Sequence, residues 1–128
     1  MVEYFFIWSL VIIFDGIFSV NRQLIFLGGI YGNKLLSFIR DSSIGVQQNA
    51  ANALQVNFIL GLEDASSSPV SIVNLPFIGS FPRRFRSVYF PKVFEEFGSK
   101  SKLLGQPFMN LSGIKLISRF NSALRGLL

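Results

Sequence analysis

An apolar run from Tyr4 to Phe14 (YFFIWSLVIIF) stops at Asp15, and a second apolar patch, Ile17 and Phe18, follows it. That break constrains how the run can be used. A membrane span needs about 20 consecutive apolar residues, and a span drawn to that length here would hold Asp15 near its middle, where a charge is costly. A strand or helix buried against protein takes up the run more cheaply, so burial in an assembly is the expectation for Phe5 to Phe14. No flanking positive cluster marks a membrane anchor. The chain opens with Glu3, where a secretory signal would carry a positive segment.

Further along, turn residues cut the chain into short apolar pieces. Leu24 to Ile30 and Leu35 to Ile39 are separated by Gly32-Asn33, and both are rich in residues that favour strands. Such pieces read as buried strands, although periodicity alone does not separate a short buried strand from a buried helix. From Ser43 the pattern becomes helical, with Ile44, Val46, Ala50, Ala51 and Leu54 spaced among Gln and Asn and candidate caps at Asp41 to Ser43. Val56 to Leu62 then resumes a strand-like run. Residues 35–62 are therefore expected to form a strand, a helix and a parallel strand of one sheet. A further extended segment, Val70 to Leu75, leads to Pro76.

The chain has 128 residues, half of them apolar, which fits one domain with a modest core. Twelve Lys and Arg against seven Asp and Glu give a net charge of +5, so an acidic partner such as RNA or anionic lipid is expected. Charged residues are only 15% of the chain and the mean hydropathy is +0.48. A chain both apolar and basic fits a membrane subunit or a member of a large assembly that covers its apolar surface.

Cys and His are both absent, which removes disulfides, thiolate and imidazole metal sites and the commonest nucleophile and base arrangements. The acidic doublets Glu63-Asp64 and Glu95-Glu96 make no paired site, because neighbours on a strand point to opposite faces. The glycine-rich stretch LGGIYG at 27–32 lacks the spacing of a nucleotide loop. No enzyme, no cofactor and no metal is expected.

The densest basic and aromatic cluster is PheProArgArgPheArg at 81–86, followed by ValTyrPhePro. Arg83, Arg84 and Arg86, in a segment expected to be extended, would fan to both sides and meet successive backbone phosphates; Phe85 would anchor the segment in the core. Lys92, Lys115 and Arg119 are expected to add to that contact. The solvated-loop alternative stays open. Near the C-terminus, Leu111, Ile114, Ile117, Phe120, Leu124 and Leu127 recur at helical spacing with Lys115, Arg119 and Arg125 on the other side. That basic amphipathic helix is expected to lay its apolar side on its own domain, with a membrane or a partner's groove as alternatives.

The order of motifs from Leu27 to Ser80 resembles the C-terminal half of the small-subunit ribosomal protein S-two family. LeuGlyGlyIle, with Gly28 and Gly29, leads to LeuLeuSerPheIleArgAsp ending at Asp41; ValGlnGlnAsnAlaAlaAsnAlaLeu stands where that family has a helix. GlyLeuGluAsp, with Gly61 and Asp64, stands where its next strand ends, and ProPheIleGly, with Pro76 and Gly79, where it has Pro-x-Pro-Gly. Glu63, Ile78 and Ser80-Phe81 depart from the family's residues. The resemblance implies an α/β fold, a doubly wound parallel sheet with flanking helices, truncated relative to the family. It also implies either a reduced or split version, its missing N-terminal half lost or supplied by a separate chain, or first 26 residues that are a diverged remnant of the family's earlier strands.

The expected organisation is one α/β domain over residues 1–90 and a C-terminal extension with the basic helix over 91–128. The expected function is a structural constituent of the small ribosomal subunit in mitochondrial translation, bound to ribosomal RNA and neighbouring small-subunit proteins and not to a membrane. An organelle-encoded origin is expected, since an Arg-rich, acid-poor transit sequence is not seen and 15 Phe suit a U-rich gene. A small hydrophobic subunit of an organellar inner-membrane complex is the alternative.

Overall fold

The computed structural model describes residues 10–14, 23–47 and 49–128. A five-stranded mixed sheet runs through them in the order β1 (Leu10–Phe14), β2 (Gln23–Gly28), β3 (Val70–Asn74), β6 (Ser101–Gly105), β5 (Val93–Phe97). The inner strands β2, β3 and β6 are parallel, and the edge strands β1 and β5 are antiparallel to their neighbours. Three helices, α1 (Asn33–Ser42), α2 (Asn49–Ser66) and α3 (Lys115–Leu127), complete a mixed α/β architecture. A small ladder of β4 (Tyr89–Phe90) and β7 (Phe108–Met109) lies apart from the main sheet.

The expected strands at Leu24 to Ile30 and Val70 to Leu75 are present as β2 and β3. The expected strand, helix and parallel strand over 35–62 is not: Leu35 to Ile39 lies inside α1 and Val56 to Leu62 inside α2. The inward residues explain both. Leu35 and Ile39 are one helical turn apart and buried, and so are Gln55, Ile59 and Glu63 on α2. A face that needs residues at i, i+4 and i+8 is a helix face, even where the intervening residues are apolar. The N-terminal run does contain a strand, β1, but the burial expected for Phe5 to Phe14 lies outside the described side chains.

Within residues 91–128, β5 and β6 belong to the same sheet as β2 and β3. The β5–β6 pair turns at Gly98, whose φ is +63°, and β6 enters the sheet beside β3 with Ile72 opposite Leu103. One face of the sheet presents Leu24, Phe26, Val70, Ile72 and Leu103 to Ile59 of α2. On the opposite face, α3 comes so close to Val73 that a Cβ on Gly126 would stand 2.5 Å from its Cγ1. A second cluster holds α1 to the loops through Leu35, Ile39, Ile78, Phe85, Phe90 and Phe108, with Phe90 and Phe108 stacked at 5.1 Å.

Buried and half-buried polar side chains fix the connection after β2. Asn74, at the end of β3, accepts from the Ile30 N–H at 2.8 Å and donates to the Ile30 carbonyl at 2.9 Å. Gln55 accepts from Gly29 N–H at 3.0 Å and Asn52 from Tyr31 N–H at 2.7 Å. Three successive backbone donors are thus satisfied by side chains, which is what a buried non-repetitive segment requires.

Candidate nucleic-acid interface

Arg83, Arg84 and Arg86 sit on one turn, all exposed, around Phe85, which is fully buried. The turn is not the extended segment expected from the sequence. Arg84 N–H donates to Ser80 O at 2.9 Å, closing the chain on itself, and the Phe81–Pro82 peptide is cis. Phe85 packs edge-on to Phe38 of α1 at 5.8 Å. Backbone bonds from Ile44 N–H to Arg84 O and from Arg86 N–H to Ser42 O, at 2.9 and 2.8 Å, fasten the turn to the end of α1. Gly79 is required here, since a Cβ would collide with the Cβ of Arg84.

The same bonds bring the last turn of α1 alongside, with Arg40 and Asp41 both exposed. Arg40 is a cation that sequence reasoning misses. Its signal is a basic residue in the last turn of a helix, and that signal is hidden when the segment reads as a strand. Lys92 is exposed in the connection between β4 and β5, six residues past Arg86 in the chain.

Lys115 and Arg119 face inward. Lys115 Nζ donates to Ile78 O, and Arg119 donates to Leu75 O at 2.5 Å and Pro76 O at 3.3 Å. The Arg119 guanidinium also lies over the rings of Phe77 and Phe108, at 4.8 and 5.3 Å from their centroids. Burial lowers its pKa to about 10. These two cations clamp the loop that follows β3, with their donors directed at main-chain carbonyls.

The motif glycines and acids have local roles. Gly28 ends β2 and Gly29 gives its N–H to Gln55, as turn formers should. Asp41, Gly61 and Asp64 lie exposed on α1 and α2, and Pro76 is buried beside the carbonyls that Arg119 holds.

The turn from β2 into α1 has the outline of an anion site, a glycine-rich loop opening on a helix N-terminus. Its donors are already used. Asn33 and Lys34 N–H give 2.9 and 2.8 Å bonds to the two oxygens of Glu95, which reaches across from β5, and a Cβ on Gly32 would strike that carboxylate. Glu63 is held in the same manner on α2, accepting from the N–H and Oγ of Ser99, from Lys100 N–H and from the N–H and Oγ of Ser101. The hydroxyls of Ser101 and Ser99 lead the causes that lower its pKa to about 2.

Charge is divided unevenly along the chain. Residues 65–128 carry nine Lys and Arg and two Glu, a net +7, whereas residues 1–64 carry three cations and five carboxylates, a net −2. Among the described residues there is no group of three or more metal-ligating side chains and no helix long and apolar enough to cross a membrane. Comparison with protein families, curated proteins and solved structures finds no match to this chain.

Proposed function

We propose that the chain is a non-catalytic structural constituent of the small ribosomal subunit of a mitochondrion, holding ribosomal RNA by its phosphate backbone. The observation that carries this reading is the arginine turn: Arg83, Arg84 and Arg86 stand exposed around a buried Phe85, on a backbone bonded to α1. Cations on a fixed turn suit phosphates held at fixed spacing in folded RNA, a form of recognition that reads shape rather than bases. Arg40, in the last turn of the helix to which the turn is bonded, and Lys92, exposed between β4 and β5, are the further cations of this proposal. The resemblance to ribosomal protein S-two contributes motif order alone, because two segments it implies to be strands are helices; its doubly wound topology and its neighbouring small-subunit proteins belong to this proposal.

The test is association of the full chain with small-subunit ribosomal RNA across a salt series. Arg83→Ala with Arg84→Ala and Arg86→Ala is expected to weaken binding and to reduce the salt slope by about one unit or somewhat less for each phosphate no longer neutralised. An unchanged slope in the triple variant, or failure of the native chain to sediment with the small subunit, would overturn the reading.

A further inference from the structure

Helix α3 is built the wrong way round for a helix that only stabilises its own domain. Its inward side carries Lys115, Arg119, Ser122 and Gly126, while Leu116, Ile117, Phe120 and Leu124 are 81%, 64%, 65% and 44% exposed. At 100° per residue these apolar four span about 100° of the outer surface, the width of an ordinary core-facing stripe. The helix cannot roll to bury them. Lys115 and Arg119 are bonded to the carbonyls of Ile78, Leu75 and Pro76; Ser122 Oγ donates to Pro107 O at 2.5 Å, and Ser118 Oγ accepts from Met109 N–H at 2.8 Å. The close approach of Gly126 to Val73 fixes the far end.

The charge around the stripe says what covers it. Lys115 and Arg119 are turned inward, so the exposed cation of α3 is Arg125, beside the apolar arc, and residues 97–128 contain no Asp or Glu. A second copy of the chain would set +5 against +5 and offer the flank of the stripe no carboxylate from α3. An anionic bilayer offers hydrocarbon to the stripe and negative charge to its flank together. We propose that α3 is a membrane-surface helix, seated in the headgroup region of an anionic bilayer through Leu116, Ile117, Phe120 and Leu124. Such a helix lies in the interface plane and does not span. The inference therefore departs from the expectation of no membrane contact, and it stands independently of the RNA reading.

The test is flotation of the full chain with vesicles of phosphatidylcholine and phosphatidylglycerol, beside vesicles of phosphatidylcholine alone. Binding is expected to the first and to be much weaker to the second. Leu116→Glu with Phe120→Glu is expected to reduce partitioning by at least about 10-fold, since two apolar anchors become charges. Both sites are exposed, so an unchanged circular dichroism spectrum accompanies the loss. Arg125→Gln leaves the stripe intact and is expected to reduce binding by about five-fold, through one surface charge. No binding of the native chain to anionic vesicles, or binding that the double variant retains, overturns the proposal. Self-association of the native chain that the double variant abolishes, without affinity for vesicles, would give the stripe to a second copy and overturn it as well.

Discussion

Helices α2 and α3 pack on opposite faces of one sheet by opposite chemistry. The α2 side is tied down by an anion: Glu63 gathers N–H and hydroxyl donors from the β5–β6 turn while Ile59 fills the core beside it. The α3 side is tied down by cations, Lys115 and Arg119, which give their donors to the carbonyls after β3. In the first case the polar latch and the apolar contact point the same way. In the second they point apart, and the polar latch wins. A hydrophobic stripe of four residues is worth several kcal/mol when buried, and that is the stabilisation which the orientation of α3 forgoes within the chain itself.

The hold on α3 is lost most readily at Arg119. Arg119→Ala leaves two buried carbonyls without their donor and strips packing from Phe77 and Phe108, and is expected to destabilise the fold by about 3 kcal/mol, read from the urea midpoint at constant slope. Arg119→Lys should recover little of this, because an ammonium cannot reach both carbonyls in one plane. A midpoint unmoved by either change would mean that α3 is held by something other than its cations.

Glu63 sharpens the other half. Its folded-state pKa is lowered from 4.5 to about 2, so the charged form is the one the fold favours. The associated stability is fully present above pH 4.5 and is lost as pH falls toward about 2. Glu63→Gln should flatten that acid limb and also lower stability at neutral pH, since an amide NH2 would face donors. An acid limb identical to the native one in the variant would remove Glu63 from the account.

Glu95→Ala uncaps α1 at two N–H groups and is expected to cost about 1 kcal/mol, with faster amide exchange at Asn33 and Lys34 as the local readout. The smallest effect belongs to the arginine turn. Replacement of Arg83 and Arg86 by Ala should change folding stability by within about 0.5 kcal/mol, as exposed side chains do. A larger loss would show that the turn uses its guanidinium groups to hold itself together.

Strands β2 and β3 are legible in the sequence because their apolar residues run continuously between turn signals. Helices α1 and α2 are not, and the reason differs for each. In α1 the run Leu35 to Ile39 is short and apolar on nearly every position, so period 2 and period 3.6 fit alike. In α2 the buried stripe is Gln55, Ile59 and Glu63, and two of its three members are polar, so the face that points inward does not look like one. The doublets Glu63-Asp64 and Glu95-Glu96 read as neighbours pointing to opposite faces, and the fold buries the first of each and exposes the second, although Glu63-Asp64 lies on a helix.

The arginine cluster and the role of Phe85 as its anchor are readable from composition and alternation, but the turn geometry and Arg40 beside it are not. The third helix falls where its periodicity places it in the chain, yet it is turned the other way. What turns it is a set of carbonyls 37 to 44 residues distant, which no local pattern reports.

Asn74 carries a consequence for how the sheet forms. A hairpin counts its own residues through its turn, but β2 and β3 are parallel and joined by α1 and α2, so nothing in the connection tells one strand where to stop against the other. The carboxamide of Asn74 supplies the missing measure. It reads both the N–H and the carbonyl of Ile30, like a gauge block placed at the end of the pair. A slip of two residues would keep every side chain on its proper face and every ladder bond in kind, yet it would strand this amide in the core at a penalty of about 1–3 kcal/mol. Alignment of the central strands is thus marked at their far end by a polar residue, Asn74, which no apolar neighbour could replace in that role.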